Sequence, residues 1–183
     1  MKSAVRRYLY FILAGITYLI IHEGVHIIQA LVFGVYKGIK VLPLGIEVVI
    51  MQPPTIEGYK LAAFSGLSSV VTVLIGYGLF AFAPKILKLD KQSVKNYLYY
   101  VTFLFLLLDP VYISLLSFIV GGDINGIALG LDIPYMIIRC IYFVIAVINA
   151  YIIHKEIYPA YVIRGDKYYG ENNTKDMQER RLR

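Results

Sequence analysis

The sequence predicts an all-α polytopic membrane protein with about four transmembrane helices and a short membrane-associated β-hairpin after the first. Three observations carry that expectation. Hydrophobic residues make up 58% of the 183 residues and charged residues only 16%, against roughly one quarter charged in a typical soluble domain. Four stretches are apolar over the roughly 20 residues that a bilayer crossing needs. The basic residues gather between those stretches and towards the ends of the chain. A soluble chain of this length cannot hide so much apolar surface, so an ordinary soluble enzyme and a disordered chain are both excluded. The single cysteine, Cys140, cannot form an internal disulfide, which removes the disulfide-stapled secreted class.

The first span is expected from Tyr8 to about Tyr36, with polar residues in its middle. It is too long for a cleaved signal peptide and carries charge where the apolar centre of one should be. Residues 38–52 are rich in β-branched side chains. Pro43 and Gly45 interrupt them and Pro53-Pro54 ends them, which reads as a hairpin near the membrane surface. The second span is expected from Leu61 to Ala83, stopped by Pro84, the third from Tyr97 to Val120, and the fourth from Tyr135 to about Ile153. In lipid each can satisfy its backbone only as a helix. Tyr8, Tyr10, Tyr97, Tyr99, Tyr100 and Tyr135 stand at span ends, where interfacial aromatics belong. The division expected is a membrane domain over residues 1–155 and a polar cytoplasmic tail over 156–183.

The net charge of +6 raises the question of nucleic acid, but no aromatic-basic binding motif accompanies it. It reads better as topology. With both termini in the cytoplasm, fourteen Lys and Arg of the connecting and terminal segments face inward and three, Lys37, Lys40 and Lys60, face outward. That is the positive-inside arrangement, and it predicts a multi-pass protein of the cell membrane.

The chemistry concentrates in the first span, at His22-Glu23-Gly24-Val25-His26. Residues four apart lie on one helix face, one turn apart, so both imidazoles can reach one ion. Glu23 is placed beside them to take a proton from an attacking water. This is the HExxH pattern of zinc hydrolases, expected by chance about 0.002 times in a chain of this composition. Ionisable groups at membrane depth are costly and mark function, and a divalent metal would compensate these. The bland alternative is a polar contact between helices.

A catalytic zinc site takes three protein ligands, so one more must come from elsewhere. His154 lies at the far end of the last span. Asp109, Asp123 and Asp132 are the acidic candidates. At about 1.5 Å per residue, His22 and His26 lie roughly 21–27 Å from the inner end of their span, Asp109 roughly 18 Å, and Asp123 near 39 Å if its helix runs straight. Depth therefore favours Asp109. Against that, Pro110 can kink the helix, Gly121-Gly122 can reverse the chain, and residues 124–131 are apolar enough to re-enter the membrane.

The chain resembles the site-2 protease class of intramembrane zinc metalloproteases, the M50-like peptidases. The resemblance rests on HExxH within an apolar span, on the β-rich stretch after it, and on Ala62-Ala63-Phe64-Ser65-Gly66-Leu67-Ser68-Ser69 opening the next span. That segment is similar to the small-residue segment packed against the zinc helix in those proteases, and Ala62 and Gly66 fit a small-xxx-small contact. The family completes its metal site with an aspartate in a Leu-Asp-Gly segment. Gly121-Gly122-Asp123 is the nearest match here and is similar to the Gly-Gly-Asp segment of smaller HExxH membrane families, so the resemblance favours Asp123. A glycine-preceded aspartate at a reversal can be aimed freely, and Asp123 is taken as the third ligand. Asp109 then supports a ligand or lines a water path, or makes a polar contact to Arg139 in the fourth span. The family's Asn-x-x-Pro element is missing, Ser114 and Ser117 standing in that region, and no PDZ-like domain is present.

The resemblance implies an intramembrane metalloendopeptidase with Zn2+ on His22, His26 and Asp123, and Glu23 as general base. The implied partners are a membrane-protein substrate and the lipid bilayer, with self-association into a homo-oligomer left open and nucleic acid excluded. The alternative is a non-catalytic HExxH-containing scaffold or metal-binding protein. A third reading, an ion path through Glu23, Asp109 and Arg139, lacks the repeated halves common in transporters. Gly34, Gly76 and Gly78 are expected at helix contacts, Cys140 as an inert apolar side chain, and Arg180-Arg181-Leu182-Arg183 as a solvated terminus.

Overall fold

The computed structural model describes residues 2–42, 45–51 and 56–161. Among them four helices are long and apolar enough to cross a membrane, within Ala4–Val32, Gly58–Ala81, Gln92–Ile119 and Tyr135–Tyr161. A two-stranded antiparallel hairpin follows the first. The expected features at Pro43, Pro53-Pro54 and Arg180-Arg181-Leu182-Arg183 lie outside the described residues.

Helix α1 (Lys2–Val32) has no proline to interrupt it. It stops short of Tyr36 because Gly34 turns the chain at φ +69°. Gly34 N–H bonds Leu31 O at 3.1 Å and Val35 N–H bonds Ala30 O at 2.9 Å, the paired bonds of a Schellman cap. Gly34 is therefore a cap residue rather than a helix contact, and nothing would meet a side chain there except the strained backbone. Tyr36 opens strand β1 (Tyr36–Leu42), which pairs with β2 (Gly45–Ile50). Lys40 faces Glu47 and Ile39 faces Val48 across the pair. Val48 turns into a small core with Ala30, Val35 and Ile56, which docks β2 beside the end of α1.

Helix α2 (Gly58–Ala81) is inverted relative to a soluble helix. Its buried positions are Ala62, Ser65, Ser68, Ser69, Thr72 and Gly76, while Leu67, Val70 and Leu74 are exposed. Lipid solvates the apolar face, so only small and polar residues distinguish the packed one. Gly76 lets α4 approach closely, since a Cβ there would lie 3.1 Å from the Leu106 backbone nitrogen. Gly78, by contrast, faces open space. The helix ends before Pro84, which sits in the first turn of the one-turn α3 (Ala83–Ile86), a position proline tolerates.

Helix α4 (Gln92–Val111) packs on α1 through Ala14, Tyr18, Val101, Leu104 and Phe105. Pro110 lies inside it and has no N–H to offer the carbonyl of Leu106. Asn149 of α7 (Tyr135–Ile152) supplies the replacement. Its Nδ2 donates to Leu106 O at 2.6 Å and its Oδ1 accepts from Tyr77 Oη at 2.5 Å. Asn149 is 0% exposed, so Asn149→Leu leaves a buried carbonyl and hydroxyl unpaired. The expected loss is about 1–3 kcal/mol, read as a lower midpoint of thermal unfolding in detergent.

Beyond Pro110 the chain makes a π-helical turn (Tyr112–Leu116) and one further turn, α5 (Ser117–Val120). Gly121 and Gly122 then adopt φ +71° and +87°, and the short helix α6 (Asp123–Leu131) folds back along α2. The two meet through missing side chains. A Cβ on Gly126 would overlap Ser65 Oγ, and one on Gly130 would overlap the backbone of Gly58 and Ala62. Helix α7 runs past Ile152 through a π-helical turn (Ile153–Ile157) to Tyr161. Ile153 and Ile157 pack against Leu106, so the expected boundary between 155 and 156 falls inside a packed helix. Aliphatic residues at 153 and 157 continue the buried stripe past the charged His154-Lys155-Glu156.

Candidate metal centre

Two elements, α1 and α6, bring the candidate ligands together. The four-residue spacing puts His22 and His26 on one face of α1, their rings 5.1 Å apart. The Gly121-Gly122 reversal delivers Asp123 as the first residue of α6. His22 Nε2 lies 3.3 Å from Asp123 Oδ2, and His26 Nε2 lies 3.6 Å from Asp123 Oδ1. One ligand atom from each of the three lies within 4.8 Å of the others. Tetrahedral ligands held 2.0–2.1 Å from zinc stand about 3.4 Å from one another, so these spacings suit a single ion. Both histidines are buried and Asp123 is half-buried. Two imidazoles and a carboxylate form a donor set that accepts zinc and leaves one position open.

Asp109 does a different job. It is 0% exposed and stands behind His22, with Oδ1 3.2 Å from Nδ1 of that ring. Tyr18 Oη donates to the same oxygen at 2.5 Å, and Thr72 Oγ1 donates to Oδ2. With Nδ1–H turned to Asp109, the Nε2 lone pair of His22 points to Asp123. A carboxylate behind a metal-binding imidazole fixes its tautomer and raises its basicity, and loss of such a partner lowers metal affinity 10–100-fold. Asp109→Asn is therefore expected to weaken zinc binding by about 10–100-fold in a chelator competition, without changing stoichiometry.

Glu23 lies beside this group and outside it, half-buried, with its carboxylate against the backbone amide of Val48 on β2. The sequence alone did not point to Tyr18 or Thr72. Tyr18 precedes His22 by one turn, and Thr72 continues the polar positions 65, 68 and 69 in an otherwise apolar span, so both left a trace in the helical spacing. His154 is exposed near the end of α7 and Asp132 caps α6 at φ +53°; neither joins the cluster.

Of the roles the sequence left open for Asp109, support of a ligand is the one seen, and Arg139 is engaged elsewhere. Its Nε donates to Ser117 Oγ at 3.2 Å and its Nη2 to Ser117 O at 3.4 Å, and the guanidinium lies 3.7 Å above the Phe118 ring. Ser117 O also accepts Gly121 N–H at 3.2 Å. The cation thus sits at the last turn of the continuous helix that runs from α4 to Val120, where a positive charge is favoured, while Asp109 takes its three donors from α1 and α2. Tyr112 Oη bonds Gly121 O at 3.0 Å and fills the space beside Gly122 that a side chain would need. Together they fix the reversal that aims Asp123. The small-residue segment divides its contacts: Ala62, Ser65 and Gly66 face α6, while Ala63 O accepts Gln29 Nε2 at 2.8 Å and the Phe64 ring lies 5.1 Å from His26.

No protein-family model, curated protein or solved structure matches the chain in comparison searches.

Proposed function

We propose that the chain is an intramembrane zinc metalloprotease of the site-2 protease-like kind, a metalloendopeptidase that hydrolyses a peptide bond in or near a transmembrane segment of a membrane protein. One observation carries this reading: the HExxH histidines meet a carboxylate from a separate element inside a bundle of apolar helices, with Glu23 beside them and free of the ligand set. The nitrogen and oxygen donors support zinc as the ion. Zinc, when bound, would polarise the scissile carbonyl and lower the pKa of a coordinated water to about 7. Glu23 takes the proton of the attacking water and passes it to the leaving amine. Asp109, Tyr18 and Thr72 hold His22 in register. A substrate helix must unwind locally to expose its backbone, and β2, docked next to Glu23, offers an edge on which an extended segment can lie. Both termini are assigned to the cytoplasmic side of the cell membrane on the distribution of Lys and Arg.

The test is cleavage of transmembrane substrates by the purified chain in proteoliposomes. A zinc chelator should stop cleavage and added zinc should restore it. Bound zinc without cleavage of any membrane substrate would favour a metal-binding scaffold, and a chain that binds no zinc would remove both readings.

A further inference from the structure

Buried polar atoms without partners are rare in folded proteins. Three of them flank the metal centre: His26 Nδ1, Gln29 Oε1 and Ser68 Oγ. The residues are at most 6% exposed. The two histidines differ here. His22 turns Nδ1 to Asp109 and Tyr18, whereas His26 Nδ1 meets no acceptor among the described residues.

Helical spacing brings the three residues to one stretch of the contact between α1 and α2. His26 and Gln29 are three apart on α1, so their side chains are neighbours, with Cβ atoms about 5–6 Å apart. The Gln29 amide cannot be turned around, because its Nε2 donates to the Ala63 carbonyl at 2.8 Å, and the amide oxygen has no proton to give that acceptor. Its oxygen is therefore the unpaired atom. On α2, Ser68 lies one turn after Phe64, which touches His26, and one turn before Thr72, which bonds Asp109. The stripe Phe64, Ser68, Thr72 sets Ser68 level with the two histidines.

We propose an ordered-water site between α1 and α2, in which water accepts the Nδ1 proton of His26 and donates to Gln29 Oε1, with Ser68 as its contact on α2. A buried donor and a buried acceptor on neighbouring side chains, each without a protein partner, suit one bridging water. Three protein partners match the roughly three hydrogen bonds a buried water makes. Gln29 is then a positioning residue. Through the water it holds His26 in the tautomer whose Nε2 lone pair faces Asp123, as Asp109 does directly for His22. This consequence rests on the metal-centre reading, but the water site does not.

The chain has only three histidines, so each imidazole signal can be assigned by single substitution in protein carrying 15N-labelled histidine. The His26 Nδ1 proton is expected to be slow to exchange and to transfer magnetisation to water. Gln29→Leu should shift that signal and weaken zinc binding about tenfold or more. Ser68→Ala, which leaves Gln29 intact, should speed exchange of the same proton. Wild-type signal and zinc affinity in Gln29→Leu, or a His26 ring proton with no transfer to water, would overturn the proposal. If the wild type binds no zinc, the protease reading fails, and the ring-proton comparison in metal-free protein still decides the water site.

Discussion

Glu23→Gln is expected to abolish cleavage while leaving zinc binding at the wild-type level. The amide matches the carboxylate in shape and keeps α1 and β2 in place, since Val48 can still donate to its oxygen. It cannot accept a proton from water at neutral pH. General-base catalysis contributes about 10²–10⁴-fold, and the same group returns the proton to the leaving amine, so the rate should fall at least that far. Turnover of a reconstituted membrane substrate, measured beside zinc content, checks the expectation. Zinc retained with cleavage lost assigns Glu23 its role. Undiminished cleavage would show that the HExxH glutamate is not the base and that the protease reading is wrong.

Asp123→Ala should do the reverse and remove the metal itself. It deletes the only carboxylate among the described residues whose oxygens face both His22 Nε2 and His26 Nε2, leaving two imidazoles to hold a cation inside an apolar bundle. Zinc affinity should fall by more than the 10–100-fold expected for loss of an outer partner such as Asp109. The ranking of the two variants in one competition titration is the informative result. Equal losses would make Asp109 and Asp123 interchangeable ligands, which the position of Asp109 behind His22 argues against.

The spans and hairpin were legible because lipid imposes a simple rule: a crossing segment is apolar for about 20 residues and helical throughout. Their ends were less so. The first span stops at a glycine cap defined by backbone bonds, and the last continues because Ile153 and Ile157 find Leu106 in the packed bundle. HExxH was visible as a local pattern on one helix. The choice between Asp109 and Asp123 was not, because depth along a straight helix misplaces a residue delivered by a chain reversal. Gly121-Gly122 announced that reversal, but its direction depends on Tyr112, Arg139 and the glycine-lined contact of α6 with α2. Asn149 was invisible for a related reason. Its role is to replace a hydrogen bond that Pro110 removes 39 residues away in sequence, and only the packing of α7 on α4 joins them.

X-ray absorption at the zinc edge of the purified, zinc-loaded chain tests the central claim most directly. Two histidines and one aspartate around a shared ion predict about one zinc per chain, with nitrogen and oxygen neighbours only, at about 2.0–2.2 Å, and the outer scattering of two imidazoles. A chain that retains no zinc, or one whose zinc lacks the scattering of two imidazoles, would contradict it.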